Sequence, residues 1–262
     1  MSRLDAIFKQ LKDSDTGGLM PFLTGGFPSL EVTEQTLLGM GDSGADIVEI
    51  GFPFSDPIAD GPVIASSMHR TLENGLRIES LFEVVRSVRD RVSIGIVAMV
   101  SESIIERMGD EAFVQQAADS GFDGLIVPDM DISHTERLRH LADDHDLGLT
   151  FLIAPTTSSE RADQILEACR GFVYLLARAG ITGESDQAPE IEKQVEMIRS
   201  RSDLPVAAGF GISTAEHVQL VTEHAEAAIV GSALVRRMAE SDDPIKTALE
   251  FTKTLACGKT AS

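Results

Sequence analysis

The stretch "DIVEIGFPFSDPIADGPVI", residues 46–64, begins as an apolar run and turns at once into a stiff, acidic loop. From Asp46 to Ile50 it reads as a short buried strand, apolar on both faces, as a parallel strand covered by helices must be. Glu49 interrupts that run. The period of a strand sets Glu49 on the same face as Ile47 and Gly51, so its side chain points inward with theirs. Pro53, Pro57 and Pro62 then fix φ along the loop that carries Asp56 and Asp60, which lowers the entropy cost of ordering it.

Working outward, runs of the same kind recur at even intervals: "LMPFLT" from Leu19, "IGIVAMV" from Ile94, "GLIVP" from Gly124, "LTFLIAP" from Leu149, "FVYLLA" from Phe172, "PVAAGFG" from Pro205 and "AAIVGS" from Ala227. Between them lie segments with helical spacing of apolar residues, several opened by a capping residue: Ser29, Ser133, Ser158 and Ser213. About eight strand–helix alternations predict an α/β fold, a closed parallel (β/α)8 TIM barrel formed as one domain over residues 1–262. An open doubly wound sheet is the rival, disfavoured because "LTGGFPS" after the first run is not the G-x-G-x-x-G phosphate fingerprint. In the opening segment Leu4, Ile7, Phe8 and Leu11 share one helical face, which predicts an additional N-terminal helix packed on the barrel. The loosest stretch, "RAGITGESDQAPE" (178–190), falls as a loop after the sixth strand.

With 43% hydrophobic and 24% charged residues the chain has the composition of a soluble globular protein, and no apolar run approaches the roughly 18 residues of a membrane span. Its net charge of −20, from 22 basic and 42 acidic residues, argues against nucleic acid, whose phosphates need Lys and Arg. An anionic substrate would need local donors to offset that field. The two cysteines, Cys169 and Cys257, and an opening without an apolar signal core predict a reducing cytoplasm. The six histidines show no ligand spacing, so no metal site is expected.

In such a barrel chemistry comes from the carboxyl ends of strands and the loops beyond them. Glu49 sits at such an end. A dehydrated carboxylate has a raised pKa and carries a proton near neutral pH; the alternative is a structural glutamate paired to a Lys or Arg. A stiff proline-rich loop over the barrel mouth can aim Asp60; the alternative is a turn in which Asp56 and Asp60 cap backbone donors, the better reading for Asp56. In "AAGFGIST" and "AIVGSALVRR" glycine turns follow the seventh and eighth runs, presenting backbone N–H groups at Gly211, Gly231 and Ser232 where barrels commonly hold a phosphate.

These motifs, above all "EIGFPFSDPIADGP" (49–62), with "MPFLTGGFP", "LIVPD", "VYLLARAGITG", "GFGIS" and "GSALV", resemble the tryptophan synthase alpha subunit family over nearly the whole chain. The resemblance implies a lyase that cleaves indole-3-glycerol phosphate to indole and glyceraldehyde 3-phosphate. It makes Glu49 the general acid and base, and Asp60 the acceptor for the indole N–H. It sets Phe22, Leu125, Ile126 and Tyr174 around the indole and glycerol, and Gly183, Phe210, Gly211, Gly231 and Ser232 around the phosphate. By the same resemblance Thr182 would belong to a lid that closes on the aspartate loop. A beta subunit in an alpha2beta2 tetramer is the implied partner, with pyridoxal phosphate only there and no cofactor in this chain. One departure stands out: Val100 and Glu102 occupy places where the family commonly has tyrosine and asparagine, in a segment that helps to contact the beta subunit. A free-standing lyase and a non-catalytic regulatory partner are the alternatives.

Overall fold

A computed structural model describes residues 1–55, 61–176, 191–209 and 211–259. Nine strands appear among them: β1 (Gly18–Thr24), β2 (Ile47–Gly51), β3 (Gly95–Met99), β4 (Gly124–Ile126), β5 (Gly148–Thr150), β6 (Leu152–Ile153), β7 (Val173–Leu176), β8 (Val206–Gly209) and β9 (Ala227–Val230). They pair in parallel in the order β5-β4-β3-β2-β1-β9-β8-β7-β6. The two ends of that order, β5 and β6, are consecutive pieces of one run, "LTFLIAP", interrupted at Phe151. The sheet's edges are therefore the same stretch of chain, and the barrel closes on itself apart from that seam. Across the seam the Tyr174 N–H donates to the Phe151 carbonyl at 3.2 Å, while the Phe151 N–H has the Cys169 Sγ as its acceptor at 3.3 Å. The eight predicted runs are thus all present, one of them split.

The helices are α1 (Arg3–Ser14), α2 (Leu30–Met40), α3 (Pro62–Glu73), α4 (Glu79–Val88), α5 (Glu102–Met108), α6 (Asp110–Ser120), α7 (Thr135–Asp144), α8 (Ser159–Ala168), α9 (Glu192–Arg199), α10 (Ala215–Thr222), α11 (Ser232–Ala239) and α12 (Pro244–Ala256). Ser29 and Ser158 cap α2 and α8, accepting from the Val32 and Arg161 N–H groups at 3.2 and 3.3 Å. Two predicted caps are corrected. Thr214, not Ser213, caps α10, accepting from His217 N–H at 3.2 Å, because two good capping residues stand side by side. Ser133 falls inside a short 3-10 turn, Ile132–His134, which has already wound the chain when α7 begins behind His134.

Strand alternation sorts the side chains into two layers. Leu23, Val48, Ile50, Ile96, Ala98, Leu149 and Leu175 face the helices in the larger apolar cluster. Met20, Ile47, Val97, Ile126, Tyr174, Ala207 and Ile229 fill the interior. The predicted N-terminal helix closes the barrel from below: Leu4, Phe8 and Leu11 of α1 join the interior cluster, and Phe8 meets Phe172 with ring centroids 5.7 Å apart. Asp123, just before β4, pins this helix. It accepts from Arg3 Nε at 3.0 Å, from Arg89 at 3.0 Å and from the Ile96 N–H at 2.8 Å.

Candidate active site

Glu49 lies on β2 with its side chain in the interior, flanked in the ladder by Phe22 on β1 and Val97 on β3. Both neighbours are buried and apolar. Glu49 is 0% exposed, and neither carboxyl oxygen has a hydrogen-bond partner among the described residues. No Lys or Arg pairs with it there. Burial alone therefore pushes its pKa from 4.5 up to about 8, because a charge in that dry setting has nothing to replace its lost water. At neutral pH the group is a carboxylic acid, ready to give a proton.

The next inward position on β2 is Gly51, and its missing side chain is a requirement: a Cβ there would overlap the Phe22 ring. The ring thus sits over the place above Glu49. Phe22 joins Phe27, Ile64, Met68 and Val235 in a third apolar cluster, with Phe54 and Met99 against it, at the carboxyl end of the strands. α3 supplies Ile64 and Met68, one turn apart, and is tied to β1 by the buried Thr24–Ser67 hydroxyl contact of 2.7 Å. Pro62 occupies its first turn, where a missing N–H costs nothing. Phe27, Ile64, Met68 and Val235 were not among the predicted site residues, although the spacing of Ile64 and Met68 after "ADGP" is a readable helical pair.

Gly231 follows β9 and caps α11 without a side-chain bond. A Cβ on it would stand 3.6 Å from Ile64 Cδ1 and 3.7 Å from Phe22 Cβ, so this turn opens at the same end of the barrel as Glu49. The Leu234 amide donates to the Gly231 carbonyl at 2.9 Å, which leaves the Ser232 and Ala233 amides as the α11 donors able to face an anion. Gly211, after β8, has φ +76°, a left-handed conformation that favours glycine, and lies ahead of the Thr214 cap of α10 rather than at the helix end itself.

Of the predicted wall residues, Phe22, Ile126 and Tyr174 all point into the barrel. A Cβ on Gly209 would lie 2.7 Å from the Tyr174 hydroxyl, so that glycine gives the phenol room. Leu125 is corrected: it is the outward neighbour of Ile126, pairs with Ala98 in the ladder and packs in the helix-facing layer. Successive residues of a strand face opposite ways, so only one of the two can wall the interior. Asp56, Asp60, Thr182, Gly183 and Phe210 lie outside the described residues.

At the departure from the family pattern, Val100 is buried and Glu102 opens α5. Asp129 accepts from Ser101 Oγ at 2.7 Å and from the Glu102 N–H at 2.9 Å. The Glu102 carboxyl is raised by burial first, then by Glu106 and Asp129 beside it. Among the described residues no group of three metal-binding side chains occurs, and no helix is long and apolar enough to cross a membrane. Burial pushes the Cys169 thiol up to about 12, which leaves it without nucleophilic character.

Three comparisons converge on this geometry. A family model described as "Tryptophan synthase alpha chain" matches residues 8–261. The tryptophan synthase alpha chain of Synechococcus sp. (strain CC9902) is 43% identical over 236 residues, covering 89% of this chain and 88% of that one. Among solved structures, a tryptophan synthase of Mycobacterium tuberculosis superposes with a TM-score of 0.90 at 31% identity, covering 98% of each chain. The alpha subunit from Legionella pneumophila str. Paris does so with the same TM-score, identity and coverage. A match over nearly the whole length, joined to a closed parallel barrel with a buried acid at its mouth, means that this chain belongs to the tryptophan synthase alpha chain family.

Proposed function

We infer that Glu49 carries the proton transfers by which this chain performs the family's lyase reaction, the cleavage of indole-3-glycerol phosphate to indole and glyceraldehyde 3-phosphate. The observation behind this is a carboxyl group 0% exposed and without a described partner, a setting that pushes its pKa up to about 8. The steps balance on one group. Protonated Glu49 delivers its proton to indole C3, leaving an indolenine cation and a carboxylate. That carboxylate takes the proton of the adjacent glycerol hydroxyl, the carbonyl forms, and the carbon–carbon bond breaks with its electron pair returning to the indole. Glu49 ends as it began, protonated.

Asp60 would hold the indole N–H and stabilise the cation, a task distinct from the proton transfers of Glu49. Phe22, Ile126 and Tyr174 wall the substrate. The amides at Gly211, Gly231 and Ser232, together with Gly183 and Phe210, take the phosphate, which local donors hold despite the chain's net charge of −20. Thr182 closes the lid and excludes water.

The chain pairs with a tryptophan synthase beta subunit. We assign pyridoxal phosphate to that subunit, no cofactor to this chain, the alpha2beta2 assembly to the pair and the cytoplasm as its location, with residues 1–262 acting as one domain. Indole release from indole-3-glycerol phosphate, measured with and without a beta subunit, tests the reading. Glu49→Gln should lose at least two orders of magnitude in kcat. A Gln variant as active as the wild type would remove the acid–base assignment.

A further inference from the structure

Four glycines, Gly95, Gly124, Gly148 and Gly171, leave the amino-terminal floor of the barrel without side chains. Leu4 of α1 fills that space. A Cβ built on Gly124 would lie 3.0 Å from Leu4 Cδ1, on Gly148 2.8 Å and on Gly171 3.5 Å from the same atom, and on Gly95 3.1 Å from Cδ2. Leu4 itself is 0% exposed. One leucine thus stops a hole that four segments of the barrel leave open.

That stopper is close to the acid. Gly148 pairs with Gly124, Gly124 with Val97, and Val97 with Glu49, in one continuous ladder row. Along that row one residue, Val97, stands between the glycines around Leu4 and Glu49. Ile47, the inward residue below Glu49, lies 3.0 Å from the Cβ position of Gly95, which Leu4 also borders. Leu4, Ile47 and Val97 belong to one apolar cluster.

No described charge competes with this environment. The ladder neighbours Phe22 and Val97 are apolar, and the titratable member of the interior cluster is Tyr174 on β7. On α1, Arg3 is engaged by Asp123, Asp5 by the Ser2 N–H, and Lys9 by Asp13. Burial is the sole cause acting on Glu49, so whatever keeps water out of the barrel keeps the proton on.

We propose that Leu4 is a positioning residue for the proton transfer: by sealing the glycine floor it keeps water from reaching the Glu49 carboxyl from below. This rests on the reading of Glu49 as the proton carrier. The seal nevertheless has a readout that needs no catalysis.

The titration of Glu49 is followed in the full-length chain by the infrared band of its protonated carboxyl, identified by its loss in Glu49→Gln. In Leu4→Ser the shortened, hydroxyl-bearing side chain leaves a polar void that water can enter. The midpoint should then fall by about one unit or more, a tenfold loss of proton affinity, with the alkaline limb of kcat/KM following it. Leu4→Met, which keeps the volume, should retain the wild-type midpoint. So should Leu37→Ala, which opens a comparable void in the helix-facing layer.

If Leu4→Ser does not fold, Leu4→Thr, which keeps most of the volume, carries the same measurement. An unmoved infrared midpoint in the folded Ser or Thr variant overturns the proposal. An equal shift in Leu37→Ala overturns it as well, since general loosening would then explain the effect. A midpoint that moves while the rate profile stays fixed upholds Leu4 as the seal over Glu49 but overturns its part in the proton transfer, because it removes Glu49 from the chemistry.

Discussion

Replacing Glu49 by Gln has a consequence for stability that can be worked out before any assay of activity. The carboxyl moves from a pKa of 4.5 to about 8 on folding, because burial disfavours its charged form. Below pH 4.5 both states of the chain hold this proton; between 4.5 and about 8 only the folded state does; above that neither does. Folding therefore takes up a proton inside the window, and stability falls as pH rises through it, flattening beyond about 8. The slope is about 1.4 kcal/mol per pH unit, and the shift from 4.5 to about 8 amounts to about 5 kcal/mol across the window. Glutamine keeps the shape but does not titrate, and its unpaired amide adds a cost that is the same at every pH. Urea unfolding of both proteins between pH 4 and 9, followed by circular dichroism, gives the difference directly. Wild type should lose ground steadily to Glu49→Gln up to about pH 8 and then hold a constant gap. Parallel stability curves would show that the carboxyl titrates alike in folded and unfolded chains, and the account of a dry, unpaired acid would fall with them.

The opposite facing of two neighbouring residues gives a second test: Leu125→Ala should cost about 2–5 kcal/mol of stability with KM unchanged, whereas Ile126→Ala should also raise KM for indole-3-glycerol phosphate. Equal KM values for the two would contradict their placement on opposite faces of β4. Thr182→Val should lower kcat while leaving the unfolding transition in place; steady-state kinetics identical to wild type would take the lid out of the mechanism.

The barrel was legible because parallel strands buried on both faces read as short apolar runs, and eight of them at even spacing leave few other architectures. Glu49 stood out for the same reason, as a charge where only apolar residues belong. What stayed hidden has physical causes too. Leu125 and Ile126 are both apolar, so composition does not reveal which faces the interior; only the register with Ala98 and Met99 does. Ser213 and Thr214 are interchangeable caps until the helix start is known. α3 follows a run of prolines that reads as loop, yet it supplies Ile64 and Met68, two of the five buried residues of the apolar mouth. The roles of Asp60, Thr182, Gly183 and Phe210 rest on the resemblance of their motifs, since geometry was not needed to name them.

The interruption at Phe151 has a bearing on how this molecule breathes. Elsewhere among the described strands the amides find carbonyls or, at Leu19, Ile96 and Val206, carboxylates, but here one amide leans on a thiol, a weak acceptor. A tube without borders acquires a border wherever its lacing is thinnest. Solvent exchange and transient unzipping should begin along this line, on the far side of the ring from β1, and spare the strands that hold the reactive acid.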